Sequence, residues 1–164
     1  MDFQLTETQT LVRDTARAFA ERVLRPNAAA FERAESIPAA VLSEMAELGL
    51  MGVNVPAALG GAEAGAVAYA LAMMEIARGC ASTAVTMAVN NMVAEVINAF
   101  GTEAQRQRHV AAIASGQYRA ASFALSEPGA GSDPGSIATT ATREGDRWVI
   151  RGAKQWITSG DVAG

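Results

Sequence analysis

Ser115-Gly116-Gln117-Tyr118-Arg119-Ala120-Ala121-Ser122-Phe123-Ala124-Leu125-Ser126-Glu127-Pro128-Gly129-Ala130-Gly131-Ser132-Asp133 is the stretch where the character of the chain changes. Before it, apolar residues recur at helical spacing; after it, they tend to alternate. Ser115-Gly116 closes the last helical pattern, and Arg119 to Leu125 reads as a strand. Ser126 to Ser136 holds three glycines and two prolines, a composition that makes a loop. Downstream, Ile137 to Arg143 alternates and is rich in threonine, Glu144-Gly145-Asp146-Arg147 reads as a hairpin turn, and Trp148-Val149-Ile150 is the returning strand. A further short strand is expected over Gln155 to Thr158.

Upstream the pattern is helical throughout. Thr6-Glu7-Thr8-Gln9 is a capping sequence; Leu5, Val12, Ala16, Phe19 and Val23 recur near helical spacing, with Arg13, Arg17 and Glu21 on another face. Pro26 either interrupts that helix or opens the next one at its first turn. Ser36-Ile37-Pro38 starts another, with the stripe Val41, Leu42, Met45, Leu48 and Gly49 as its C-terminal cap. Leu50 to Gly65 loses periodicity around Pro56 and Gly60-Gly61. Ala66 to Arg78 and Ser82 to Phe100 return to helix. The second of these is apolar on most sides and is expected to be central. Thr102-Glu103-Ala104-Gln105 caps a last helix that runs to about Ala114. The fold class expected is α+β: an N-terminal all-helical bundle domain over residues 1–116, followed by the start of an antiparallel β domain, incomplete, over 117–164.

Composition narrows the function classes. The chain has 164 residues, half of them hydrophobic, which supports a packed core and argues against general disorder. A net charge of −4 repels nucleic-acid phosphates at long range, so no nucleic-acid partner is expected. Cys80 is the only cysteine, so neither an internal disulfide nor a cysteine metal cluster is expected. The start lacks a signal-peptide pattern, and charged residues interrupt every long apolar run, so no membrane span is expected. A soluble, cytoplasmic protein is the expectation. After Trp156-Ile157-Thr158-Ser159-Gly160 the chain runs to Gly164 without a closing element, which reads as an interrupted domain or a frayed end.

Two runs carry chemistry. In Leu125-Ser126-Glu127-Pro128-Gly129-Ala130-Gly131-Ser132-Asp133 the glycines allow close backbone approach, the amides can form a nest for phosphate oxygens, and Ser126 and Ser132 add hydroxyls. On residue chemistry alone such a loop is more often only a turn. It matches neither a Walker loop nor a dinucleotide fingerprint. In Lys154-Gln155-Trp156-Ile157-Thr158-Ser159-Gly160 an extended backbone would put Trp156 and Thr158 on one face, an aromatic plate beside a hydroxyl. Trp156 reads equally as a half-buried core residue. His109 is expected to face solvent, Cys80 to be a packed core thiol, Met73, Met74, Met87 and Met92 to pack helices, Glu95 to serve a surface or structural role, and Arg106 and Arg108 to form a solvated face.

Phe123-Ala124-Leu125-Ser126-Glu127-Pro128-Gly129-Ala130-Gly131-Ser132-Asp133, followed by Gly152-Ala153-Lys154-Gln155-Trp156-Ile157-Thr158-Ser159-Gly160, resembles the flavin-site signature of the acyl-CoA dehydrogenases. The helical front, from Phe3-Gln4-Leu5-Thr6 through Gly49-Leu50-Met51-Gly52 to Gly60-Gly61, is similar to that family too. The resemblance implies a helical domain, a middle β domain and a C-terminal helical domain, the last absent here, with FAD held between the second and third. It implies that Phe123, Leu125 and Ser126 line the flavin, with the Leu125 backbone and the Ser126 hydroxyl donating towards its pyrimidine side. Gly131 and Ser132 would approach the diphosphate, Ser132 would also touch the substrate's pantetheine arm, Trp156 would pack on the isoalloxazine, and Thr158 would bond near N5. Relatives often carry threonine at the place of Ser126, which keeps the hydroxyl, and Asn at that of Ser159. The implied reaction is α,β-dehydrogenation of an acyl-CoA in fatty acid metabolism, with hydride passing to flavin N5 and the glutamate base in the absent domain. This chain alone is therefore expected to be inactive and to bind FAD weakly. The resemblance further implies a homo-oligomer, dimer or homotetramer, and an electron-transfer flavoprotein as acceptor. Alternatives on the same scaffold are an oxidase or monooxygenase relative and a non-catalytic partner subunit. A third reading is a helical interaction module with an incidental β extension.

Overall fold

A computed structural model describes residues 3–164. Among the described residues, seven α-helices precede a β-hairpin, an α+β arrangement with the helical bundle first. Helix α1 (Glu7–Phe19) starts at a complete capping box: the Gln9 amide donates to Thr6 Oγ1 at 3.2 Å, and the Thr6 amide donates to Gln9 Oε1 at 3.0 Å. The chain does not break at Pro26. It widens into a π-helical turn over Ala20–Leu24 and continues as α2 (Arg25–Arg33), the Arg25 amide donating back to Ala20 O. Proline has no amide for the carbonyl four residues earlier, and its ring crowds that carbonyl; a widened turn relieves both.

Helix α3 (Ala39–Glu47) buries Val41, Leu42 and Met45 as the stripe requires. Leu48 does not join them: it lies past the helix end, where Gly49 turns left-handed at φ 74°, and its side chain is exposed. An irregular stretch with one 3-10 turn (Ala57–Leu59) leads to α4 (Gly65–Gly79). Helix α4 packs along α1 and then α5 (Ala81–Phe100). Small residues permit the close approach: Ala16, Ala68 and Ala72 are fully buried, and a side chain at Gly79 would stand 3.0 Å from Leu24 Cβ. Phe19, Leu24, Met45, Leu50, Ile76 and Met87 fill the main core.

Helix α5 corrects an expectation. It is not central on all sides. It buries Thr83, Ala84, Thr86, Met87, Asn90, Asn91 and Ala94, and it leaves Val85, Met92, Val96 and Phe100 exposed. The polar residues are inside because the chain beside them is irregular and needs partners. Asn91 accepts from the Val53 amide at 2.8 Å and donates to Leu50 O at 2.8 Å and Met87 O at 3.0 Å. Asn90 accepts from the Ala121 amide at 2.9 Å, which fastens the bundle to the incoming β segment.

Helix α6 (Glu103–Gln105), capped by Thr102, runs through a π-helical turn (Arg106–Val110) into α7 (Ala111–Ala114). His109 is half-buried rather than free in solvent. The chain folds back after α7, with the Tyr118 amide on Ala112 O at 3.1 Å, and this places the Tyr118 hydroxyl 3.1 Å from His109 Nδ1. Cys80 is buried, as expected. Glu95 is exposed and accepts from Asn54 at 3.0 Å. Met87 is core, Met73 packs against it, and Met74 and Met92 are exposed. No helix among the described residues is long and apolar enough to cross a membrane.

Strands β1 (Thr140–Glu144) and β2 (Arg147–Arg151) pair antiparallel, with Thr140 opposite Arg151 and Glu144 opposite Arg147. Gly145, at φ 63°, occupies the turn position where a side chain would be strained. Two segments expected as strands are not. Arg119 to Leu125 is irregular, and so is Gln155 to Thr158, because neither finds a ladder partner among the described residues. Strand propensity only becomes strand where another backbone accepts and donates.

Candidate functional site

The glycine loop and the Trp156 segment meet. The Gln155 amide donates to Ser126 O at 3.0 Å, and the Ser122 hydroxyl donates to Thr158 O at 2.7 Å. Lys154 Nζ donates to Leu125 O at 2.8 Å, and Gln155 Nε2 to Glu127 O at 3.3 Å. Residues 125–127 are therefore hydrogen-bonded to Lys154 and Gln155, and Ser122 to Thr158, although 27 or more residues separate the bonded groups. An incidental β extension that left Ser126 and Trp156 in unrelated surroundings would not be joined in this way.

Each named residue has a definite place. Phe123 and Leu125 are exposed, Ser126 and Thr158 are half-buried, and Gly131 and Ser132 are exposed on the loop. The Leu125 amide donates to Phe123 O at 3.2 Å. Trp156 is 86% exposed and is not a core residue. The 156–159 backbone is not extended: Trp156 sits at φ 60° and Ser159 at φ 58°. Trp156 and Thr158 therefore do not share one face of a strand; a turn takes the place of the expected strand. A non-glycine residue in the left-handed region costs roughly 1–2 kcal/mol and persists where the surroundings hold it. Here the bonds at Gln155 and Thr158 hold it from both sides.

The loop's own glycines ask for something beyond this chain. Gly129 and Gly131 have nothing within 4 Å of where a side chain would begin, and neither has a left-handed backbone. Among the described residues nothing requires glycine there, which suits a site where a ligand lies close to the backbone. Together with exposed Phe123, Leu125 and Trp156 and the hydroxyls of Ser126, Ser132 and Thr158, the residues fit a flat, partly apolar group with polar edges and a phosphate arm. A cavity of about 480 Å³ also opens between Thr158, Ser159 and the start of α5 at Ser82, Val85 and Thr86.

Residue-by-residue reading of the sequence missed Glu127, Lys154 and Ser122, which make the junction. Glu127 is buried, its carboxylate accepting from Lys154, the Thr139 amide and the Ala138 amide. The Lys154 ammonium and those bonds lower its pKa to about 2. A signal existed: Glu127 and Lys154, of opposite charge, each lie inside one of the two chemistry-bearing runs.

Fold and site define an α+β chain whose chemistry gathers in the β part, where a glycine turn meets an exposed aromatic turn. Residues 6–117 match the acyl-CoA dehydrogenase N-terminal domain, and residues 122–164 match the acyl-CoA dehydrogenase middle domain. The chain belongs to the acyl-CoA dehydrogenase family. It is 50% identical over 157 residues to the mitochondrial short-chain specific acyl-CoA dehydrogenase of Bos taurus, covering 95% of this chain and 38% of that protein. Butyryl-CoA dehydrogenase from Megasphaera elsdenii superposes with a TM-score of 0.91 at 30% identity, over 99% of this chain and 44% of that one. A glutaryl-CoA dehydrogenase from Mycobacterium smegmatis in complex with FADH2 also superposes at 0.91, with 30% identity, over 97% and 41% of the two chains. The chain thus spans about two fifths of the length of these relatives.

Proposed function

We propose that this chain supplies the helical front and the flavin-facing part of the middle β domain of an FAD-dependent acyl-CoA dehydrogenase. Residues 1–116 and 117–164 are the two portions, and a C-terminal helical domain of the whole protein completes the pocket. The observation that carries the reading is the hydrogen-bonded junction of the Ser126 loop with the Trp156–Ser159 turn. Bound FAD would supply the hydride acceptor for the substrate's β hydrogen.

This chain's residues bind and orient. The Ser126 hydroxyl and the backbone near Leu125 face the pyrimidine edge, beside Phe123. Gly131 and Ser132 admit the diphosphate, and Ser132 also meets the pantetheine arm. Trp156 covers the ring, and its bulk excludes water from one side. Thr158 presents its hydroxyl near N5. The α proton goes to a glutamate outside this chain, and donors to the thioester carbonyl stabilise the enolate-like charge that develops as it leaves. The names of the most similar relatives favour a short acyl chain as substrate. A homo-oligomer and an electron-transfer flavoprotein as acceptor complete the proposal.

Anaerobic titration of the full-length, FAD-reconstituted protein with acyl-CoAs of increasing length tests this. The expected outcome is bleaching of the flavin absorption band, most complete with short chains. A folded protein that stays colourless after reconstitution overturns the reading; rapid reoxidation by oxygen would instead assign an oxidase on the same scaffold.

A further inference from the structure

One carboxylate holds the glycine turn and the aromatic turn together. The main chain of Glu127 closes the Pro128-Gly129 turn through a reciprocal pair with Ala130, at 3.0 Å and 3.1 Å. Its side chain reaches the other way. Oε2 accepts from the Ala138 amide at 2.7 Å; Oε1 accepts from the Thr139 amide at 3.0 Å and from Lys154 Nζ at 2.8 Å. Lys154 adds a bond to Leu125 O at 2.8 Å. The Glu127 carboxylate thus joins its own turn to residues 138–139 and to Lys154. Of the turn itself only Ala130 is buried; Pro128, Gly129, Gly131 and Ser132 are exposed. Charge-assisted hydrogen bonds, shorter and stronger than neutral ones, do the holding.

We propose that Glu127, paired with Lys154, is the positioning residue of the flavin site: it sets where the Ser126–Gly131 turn stands relative to Trp156 and Thr158. The inference rests on the flavin reading above and goes beyond it, since neither side chain is assigned to the cofactor. The chemistry demands a carboxylate. All three partners are donors, and a carboxylate is acceptor-only on both oxygens. A glutamine would offer one oxygen and turn its amide hydrogens towards other donors. It would also leave the Lys154 ammonium, itself only 23% exposed, without its counter-charge. Lys154→Met is the milder change. It leaves Glu127 anchored on the two amides and cuts only the links from Lys154 to Glu127 and Leu125.

The test uses the full-length protein with Glu127→Gln and Lys154→Met. Two quantities are read: FAD affinity on reconstitution, and hydrogen exchange of the Gln155 amide in the apo protein, because that amide reports the junction directly. Both variants are expected to weaken FAD binding by about tenfold or more, Glu127→Gln the more severely, and to speed Gln155 exchange by a similar factor. Far-UV melting of the helical bundle stays unchanged. A folded variant that holds FAD within about twofold of wild type, with Gln155 exchange unaltered, overturns the proposal. If Glu127→Gln does not fold, Lys154→Met decides by the same two readings. If the wild type itself takes up no FAD, the flavin reading fails, while Gln155 exchange still decides the positioning role.

Discussion

Asn91 uses both ends of its amide on backbone that lies outside regular structure. It ties α5 to Leu50 and Val53, at the point where the chain leaves α3 and loses periodicity. Removing it orphans a buried amide and a buried carbonyl together, so Asn91→Ala should lower unfolding free energy by about 2–4 kcal/mol in urea denaturation. Val85→Ala, on the exposed side of the same helix, should cost far less. Glu127 makes a prediction in pH. Its folded-state pKa lies near 2, below the ordinary glutamate value of about 4.3 expected unfolded. A depressed acid contributes stability that is fully present above the unfolded value and is lost as pH falls through the folded one. The Glu127 carboxyl carbon, followed by NMR, should therefore begin to titrate only below about pH 4, with its midpoint near 2. A midpoint at the ordinary value would mean that the Lys154 contact is not made in solution.

At the scale of elements, capping and glycine chemistry were legible and partner-dependent structure was not. Thr6 and Thr102 begin helices as their capping boxes require, since that signal is local. Gly60 and Gly61 look alike in the sequence but have different jobs. Gly60 is left-handed at φ 83° with open space around it, so Gly60→Ala should cost about 1–2 kcal/mol from backbone strain alone. Gly61 sits against the Val55 carbonyl, where an added methyl collides with main chain that cannot rotate away. Gly61→Ala should therefore be the worse of the two, by thermal melting, and should loosen the second core around Val55 and Leu59. Equal melting temperatures for the two variants would refute this division of roles. Helix α5 shows the opposite limit. Its apolar residues are plain in the sequence, yet the buried side is the one that carries two asparagines and two threonines.

Across the whole molecule, the bundle is closed on one side and open on another. Val85, Met92, Val96 and Phe100, at helical spacing on α5, are exposed, and so are Trp148 and Ile150 on β2 and Trp156. A stripe of exposed apolar side chains along one helix is a surface that binds other apolar matter. The chain of 164 residues, prepared alone, should bind a hydrophobic dye while fully folded, and Met92→Lys with Val96→Glu should reduce that binding without lowering the melting temperature. A folded chain that leaves the dye in water would show that these residues are covered in solution.

The sequence alone determined whatever depends on near neighbours: where helices begin, where Gly145 turns the hairpin, and that residues 126–136 form a loop; the Ser126 and Trp156 runs were linked only by their resemblance to the family's signature. Capping, turn and glycine preferences act within a few residues, so they can be read along the chain. Tertiary structure decided the rest: which face of α5 is inside, that Arg119 to Leu125 finds no ladder, that Trp156 lies in a left-handed turn, and that Glu127 and Lys154 join the two runs. Each of these turns on the partner a group meets across the fold. A hydrogen bond between residues 27 positions apart leaves no periodic trace in the sequence that encodes it.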